Sequence, residues 1–197
     1  MYKIYLKNIL GVNKKQKKEI LNIRNSTYVH SKMYTNHKIS CDEHFAWIEN
    51  LKYNKKKIVF VVTNENKALG MVSLNNINLK RKILEWSYYL TEKNIYGLGP
   101  SLEFSLIDYC INKNFFMQIG CEILETNSKI IKFHKKFFFK ENKDVIKYII
   151  KNEKKIKIVS MSLAAKEWKE GRIFIKKKYS KIIDNFDITV DEFNPIN

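Results

Sequence analysis

The sequence predicts a single α/β (α+β) domain, a mixed and mostly antiparallel sheet flanked by helices. Three observations carry that expectation. Tracts rich in β-branched and aromatic residues recur along the chain, among them Tyr2–Leu10, Lys57–Thr63, Leu69–Leu74 and Ile83–Leu90. Amphipathic stretches with helical spacing lie between them, such as Lys14–Arg24 and the run holding Leu102, Leu106, Tyr109 and Cys110. The turns joining consecutive strand tracts are short and polar, which suits antiparallel hairpins rather than crossovers.

In order, Tyr2–Leu10 alternates apolar and polar residues as a first strand. Lys14–Arg24, with Ile20, Leu21 and Ile23 among lysines, is an amphipathic helix. The polar, aromatic segment from Asn25 to Ser40 lacks periodicity and is expected to be a loop that carries specificity. Ser40 with Glu43 three residues on forms a capping box for a helix through Phe45, Trp47, Ile48 and Leu51. Lys57–Thr63 and Leu69–Leu74 make a hairpin, and Ile83–Leu90 extends it to a three-stranded meander.

Gln118–Leu124 is the next strand, and Thr126-Asn127-Ser128 caps a helix with Ile130, Ile131 and Phe133. Asp144–Ile150 and Lys155–Leu163 form a hairpin turning at Lys151-Asn152-Glu153, followed by a short helix, Ala164–Arg172. The count is about seven strands in the order β-α-α-β-β-β-α-β-α-β-β. No repeat or linker divides the chain, so 1–175 is read as one domain and 176–197 as a C-terminal extension. Within the extension, Ile182–Phe193 is compatible with a strand, a helix or a tail.

At 197 residues, 45% hydrophobic and 13% aromatic, the composition is that of a globular domain with a substantial core. The apolar runs fall well short of the ~20 residues that cross a bilayer, and no signal peptide is recognisable. Cys41, Cys110 and Cys121 show no metal-ligand spacing; they are expected to be reduced thiols in the cytoplasm, without a metal. Of 37 basic residues, 34 are lysine, the arginines being Arg24, Arg81 and Arg172. These lysines are scattered along the chain, whereas base reading favours arginine's planar fork, so the charge of +17 does not by itself mark a nucleic-acid binder. A positive field also steers phosphate-bearing small substrates.

The stretch that organises the rest is Ile83–Ser101, a strand ending at Leu90, a polar connection, then Tyr96-Gly97-Leu98-Gly99-Pro100-Ser101 opening a helix. Two glycines permit a tight turn and close backbone approach to a ligand. Pro100 suits the first helical position. A helix start carries unpaired N–H groups and partial positive charge, hence suits a phosphate. A G-x-G-P step also occurs as a plain turn, and the chain lacks both a complete P-loop and the third glycine of a dinucleotide fold.

Two stretches together resemble the GNAT acetyltransferase superfamily. Asn94-Ile95-Tyr96-Gly97-Leu98-Gly99 is similar to its Q/R-x-x-G-x-G/A loop, and the run Asn127–Phe139 is similar to its N-x-x-A-x-x-L-Y-x-K-x-G-F helix. Within that superfamily the resemblance is strongest to the pseudaminic acid pathway enzymes that acetylate UDP-4-amino-4,6-dideoxy-N-acetyl-β-L-altrosamine. Arg24-Asn25, Met33-Tyr34, His37-Lys38-Ile39-Ser40, Glu43-His44, Trp47-Ile48 and Glu85-Trp86 carry it. The resemblance implies an acetyl-CoA-dependent N-acetyltransferase that acts directly on the 4-amino group of a nucleotide-linked 4-amino-4,6-dideoxy sugar. It implies no nucleic-acid or membrane partner and leaves a homodimer open. The same-fold alternative is another amine: a GDP-linked legionaminic precursor, a protein N-terminus or an antibiotic. The alternative of a different class is a basic nucleic-acid-binding module.

By the resemblance, the coenzyme falls to Tyr89, Leu90, Asn94, Tyr96, Gly97, Leu98, Gly99, Ser101, Leu102, Asn127 and Phe133. A backbone N–H near Tyr89 or Leu90 would meet the thioester carbonyl where the fourth and fifth strands splay. Arg24, Asn25, Met33, Tyr34, His37 and His44 would bind the nucleotide sugar, with Arg24 on a diphosphate oxygen and Tyr34 on a base. His134 stands where the family has a general-acid tyrosine; an unperturbed pKa of ~6.5 lets a histidine give the leaving thiolate its proton. Glu85, on one strand face with Ser87 and Tyr89, is the candidate base, against the plain reading of a half-solvated strand carboxylate. Asn94 in place of Gln or Arg removes charge from the loop, and Phe138 in place of Gly is expected to change the turn after the helix.

Overall fold

The computed structural model describes residues 1–113 and 115–192. In chain order the elements are β1 (Tyr2–Asn8), α1 (Lys14–Asn25), α2 (Thr27–His30), α3 (Cys41–Asn50), β2 (Ile58–Asn64), β3 (Lys67–Asn78), β4 (Ile83–Leu90) and α4 (Leu98–Asn112). They continue as β5 (Gln118–Leu124), α5 (Ser128–Lys136), β6 (Lys140–Glu141), β7 (Lys147–Lys151), β8 (Lys154–Ala164), α6 (Ala165–Lys178), α7 (Ser180–Ile183) and β9 (Phe186–Val190). One sheet of nine strands runs β6-β8-β5-β4-β3-β2-β1-β9, with β7 also on β8. Among the described residues only β4–β5 and β1–β9 are parallel. The two strands beyond the expected seven are the two-residue β6 and β9.

Strand alternation sorts the core into two layers. Ile9, Ile20, Val29, Ile48, Val59 and Val61 pack α1–α3 on one face of the sheet. Leu74, Trp86, Leu102, Ile107, Phe137 and Trp168 belong to the larger layer under α4, α5 and α6. Local chemistry explains the element ends. The Ser40 hydroxyl accepts the Glu43 N–H and the Glu43 carboxylate accepts the Ser40 N–H, a complete capping box for α3. The β7–β8 hairpin turns through Asn152 and Glu153, both left-handed at φ 49° and 63°, in agreement with a two-residue turn of the twist-matched kind.

The extension is part of the sheet. α6 runs through the expected 175/176 boundary, and β9 then lies parallel to β1 from Tyr2–Phe186 to Leu6–Val190. Ile183 and Phe186 are buried in the larger core. Of the segment Ile182–Phe193, the last residue lies outside the described residues.

The turn after α5 keeps the geometry a glycine would give, contrary to the expectation of a different one. Phe138 N–H donates to the Lys135 carbonyl and Phe139 N–H to the His134 carbonyl, both at 3.2 Å, with Phe138 at φ 68°. That is a Schellman motif with phenylalanine in the left-handed position, at a cost of about 1–2 kcal/mol. Its ring is docked onto α6: a Cβ on Gly171 would sit 2.2 Å from Phe138 Cε2. Gly171→Ala is therefore expected to destabilise the protein by about 1–3 kcal/mol in urea melts. In a Phe138→Gly background the same change should be neutral or stabilising, because the ring is gone and alanine is the better helix former. Equal melts for Gly171→Ala and parent would show that the ring does not occupy this notch.

Candidate active site

The glycine loop is anchored from both ends. Asn94 Nδ2 donates to the Thr91 carbonyl at 2.9 Å, so its amide closes the loop. Gly97 caps α4 at φ 85°, and α4 starts at Leu98, placing Pro100 third rather than first in the helix. Leu98 N–H donates to the Ile95 carbonyl, while both the N–H and the hydroxyl of Ser101 return to the Gly97 carbonyl. Among the described residues, the N–H groups of Gly97 and Gly99 are left without a protein acceptor. Leu98, Ser101 and Leu102 are fully buried and support the loop from beneath, whereas Tyr96 is 87% exposed beside it. Nothing lies within 4 Å of a Cβ on Gly99, so the space beside its Cα is open. Behind Gly97 the packing is tight: a Cβ there would meet Ile182 Cγ2 at 2.6 Å.

β4 and β5 separate next to this loop. Their pairing covers only Ile83–Glu85 with Gln118–Gly120, after which β4 stays with β3 as far as Leu90–Gly70. β5 stays with β8 as far as Leu124–Ile158. Thr91 N–H donates to the Leu69 carbonyl, which fixes the parity of the β3–β4 ladder. Odd positions of β4, Tyr89 included, therefore direct their N–H groups to β3. Tyr88 and Leu90 direct theirs into the opening. Unpaired donors in a protected cleft are suited to an oxygen that gains negative charge.

His134, on α5, lies on the larger-core side of that opening. It is 4% exposed, with Trp86 and Phe139 ring centroids at 5.8 and 5.1 Å. Its Nδ1 is 2.7 Å from Oε1 of Glu103, a fully buried residue of α4. The Tyr88 hydroxyl donates to the other oxygen, Oε2, at 3.3 Å. Burial pushes the Glu103 carboxyl up, and the imidazole's charge and hydrogen bond oppose that shift. Nδ1 is the ring nitrogen engaged in a hydrogen bond among the described residues. Phe133 is half-buried next to His134, with ring centroids 6.0 Å apart. Asn127 precedes α5 without a side-chain capping bond, so its amide is uncommitted. Burial raises the Cys110 thiol to about 12 and Cys121 well above its ordinary value, which keeps both protonated and poor nucleophiles.

The segment from Ser26 to Ser40 covers the other face of the sheet; it is not loop throughout as expected, since Ser26 caps the one-turn helix α2 and Val29 is buried. Asn25 holds it by exchanging two hydrogen bonds with the Ile39 backbone, at 2.7 and 2.9 Å. Arg24 Nη2 donates to Thr35 Oγ1 at 2.6 Å, while Nη1 is enclosed without a partner. Met33 packs against the smaller core. Lys151, 6% exposed, reaches from β7 to the carbonyls of His30, Met33 and Thr35 and latches this loop to the sheet edge.

Tyr34, thus positioned, donates its hydroxyl to Glu122 Oε2 at 3.2 Å; burial and the Glu122 charge raise its pKa. Glu85 accepts from Asn76 Nδ2 at 2.6 Å and shares the Tyr34 neighbourhood with Glu122. Two expected ligands stand elsewhere. The His37 ring pairs with Glu43 at 3.1 Å on the surface. The His44 ring is buried between α1 and α3, 2.9 Å from the Lys17 carbonyl, and burial lowers its pKa. Sequence reasoning missed Glu103, Glu122 and Lys151. Of these, only Glu103 left a trace, as one carboxylate among Leu102, Phe104, Leu106 and Ile107.

Free amides at the loop, open space beside Gly99 and unpaired donors in the strand opening fit a coenzyme A thioester. Among the described residues no group of three or more His, Cys, Asp or Glu side chains is placed to hold a metal. Among the described residues no helix is long and apolar enough to cross a membrane. Comparison with known proteins agrees with the geometry. Acetyltransferase PseH of Campylobacter jejuni is 24% identical over 136 residues, 69% of this chain and 84% of that protein. The crystal structure of Campylobacter jejuni PseH with acetyl coenzyme A shares the fold at a TM-score of 0.59 and 20% identity, covering 82% of this chain and 98% of that one. Spermidine N-acetyltransferase from Vibrio cholerae, crystallised with CoA and spermine, reaches a TM-score of 0.72 at 18% identity, covering 84% and 97%. The acetyltransferase (GNAT) domain matches residues 9–159, well over half of the sequence. This chain accordingly belongs to the GNAT family of acetyl-CoA-dependent N-acetyltransferases.

Proposed function

We propose that the enzyme acetylates the 4-amino group of a nucleotide-linked 4-amino-4,6-dideoxy sugar by direct transfer in the cytoplasm. The observation that carries this reading is Tyr34. It sits on a loop latched by Lys151 and closed by Arg24 and Asn25, with its hydroxyl on Glu122 beside Glu85. In this reading the Gly97 and Gly99 amides hold the coenzyme diphosphate, and Leu90 N–H meets the thioester carbonyl oxygen. Glu85, directly or through water, takes the proton of the attacking amine. His134 Nε2 returns a proton to the leaving thiolate, and Arg24, bonded to Thr35 with Nη1 enclosed, braces the substrate loop instead of reaching the nucleotide diphosphate. The resemblance of Arg24-Asn25, Met33-Tyr34 and His37-Lys38-Ile39-Ser40 to the pseudaminic acid pathway enzymes supports the sugar. The net charge of +17 supports an anionic acceptor, whose local concentration a positive field raises.

A second reading, a polyamine acceptor, is favoured by the two carboxylates Glu85 and Glu122 below the loop and by the likeness to spermidine N-acetyltransferase. A panel of UDP- and GDP-linked 4-amino sugars, spermidine and peptide N-termini, read by thiol release, tests both. Turnover with a nucleotide sugar at low ionic strength, falling as salt screens the field, is the expected result. Release only with spermidine would replace this reading by the second.

A further inference from the structure

We propose that Glu103 is a positioning residue that keeps a proton on His134 Nδ1 and aims Nε2 at the leaving group. The proposal rests on the general-acid reading of His134 given above. The pair is almost completely enclosed: His134 and Glu103 side chains are 5% and 0% exposed, and the Nδ1–Oε1 separation is 2.7 Å. A carboxyl group at such a site is costly unless each of its oxygens is engaged. Here His134 engages Oε1 and Tyr88 engages Oε2. Trp86, Tyr88, Phe133 and Phe139 surround the imidazole, and among the described residues its one hydrogen bond is at Nδ1. Nε2 is consequently the only ring nitrogen left for chemistry.

The proton balance follows. With Glu103 as carboxylate and both ring nitrogens protonated, Nε2–H passes its proton to the thiolate as the C–S bond breaks. The thiolate becomes a thiol and the ring becomes neutral imidazole, with Nδ1–H still donating to Glu103. Solvent, which receives through Glu85 the proton lost by the attacking amine, then reprotonates Nε2. A tyrosine in the same place holds its proton on its own oxygen and needs no such partner. Histidine has two tautomers, and only an acceptor at Nδ1 selects the useful arrangement. The titratable groups facing this pair are Tyr88 from β4 and Cys121 from β5; Lys132, Lys135 and Lys136 of α5 are exposed.

Glu103→Gln preserves shape and an Nδ1–H acceptor but removes the negative charge. Turnover is expected to fall about 10-fold or more with the KM for acetyl coenzyme A little changed. The alkaline limb of the kcat–pH profile should move to lower pH, since the carboxylate no longer supports the protonated ring. A purely structural role would not move that limb. Nitrogen-15 NMR of the unmodified, histidine-labelled protein at neutral pH should report a protonated Nδ1 on His134, and this readout is independent of whether the variant folds. An unprotonated Nδ1, or a folded Glu103→Gln enzyme with parental kcat and pH profile, overturns the proposal. If His134→Phe is itself fully active, the general-acid reading fails instead, so the two failures are distinct.

Discussion

Replacing His134 with phenylalanine is expected to lower turnover about 100-fold while acetyl coenzyme A still protects the protein against heat. A positioned acid contributes about 10²–10⁴-fold in general. The lower end applies here, because a thiol with pKa near ~8.5 is already a fair leaving group. The coenzyme's diphosphate is assigned to the Gly97 and Gly99 amides, which His134 does not touch, so stabilisation that grows with ligand concentration should persist. The substitution has a second consequence, because Glu103 loses its nearest cationic partner. Burial pushes this carboxyl above its ordinary 4.5. The folded variant then binds the proton more tightly than the unfolded chain does. The contribution of this carboxyl to stability is fully present below about pH 4.5 and is lost as pH rises through the folded value. The melting deficit against the parent should therefore be larger at about pH 8 than at about pH 5. Adding Glu103→Leu should abolish that pH dependence and leave turnover low. Parental turnover in His134→Phe would remove the acid from this position.

Phe186→Ala should destabilise the protein by about 3 kcal/mol and raise the KM for acetyl coenzyme A along with it. Phe186 is buried at the start of β9, and its ring edge is 3.4 Å from where a Gly97 Cβ would lie; Ile182 fills the neighbouring space. The substitution opens a void behind the backbone that turns at φ 85° to present the Gly97 amide. β9 continues the sheet beyond β1, and Asp191 accepts the Asn8 N–H at 2.8 Å. The extension is thus wedged behind the glycine loop and bonded to the first strand. A folded Phe186→Ala variant with parental melting and coenzyme affinity would show that the loop stands without this wedge.

How far the sequence could be read depended on the span of each interaction. The capping box at Ser40 and Glu43 and the strand around Trp86 are decided within a few residues and are legible in the sequence; the hairpin turn is legible too, but it spans only Asn152 and Glu153, with Lys151 ending β7. The start of α4 was displaced by two residues. Pro100 is tolerated anywhere in the first turn, and the left-handed Gly97 rather than the proline sets the helix start. The turn at Phe138 defied its local signal, since a left-handed phenylalanine is unfavourable by itself and is offset only by its seat on Gly171. The tail was unreadable for a similar reason: β9 depends on the edge of β1, some 180 residues earlier.

The sequence by itself determined the α/β order, the glycine loop, the asparagine-led helix and the place of His134, because hydrophobic period and short motifs are written locally. The tertiary structure decided which amides are free, which face Glu85 shares with Tyr34 and Glu122, and that Glu103 meets His134. Those contacts join positions 31 and 88 residues apart, in the pairs Glu103–His134 and Tyr34–Glu122. Burial and strand divergence create them, and both arise only when the whole sheet has closed around its core.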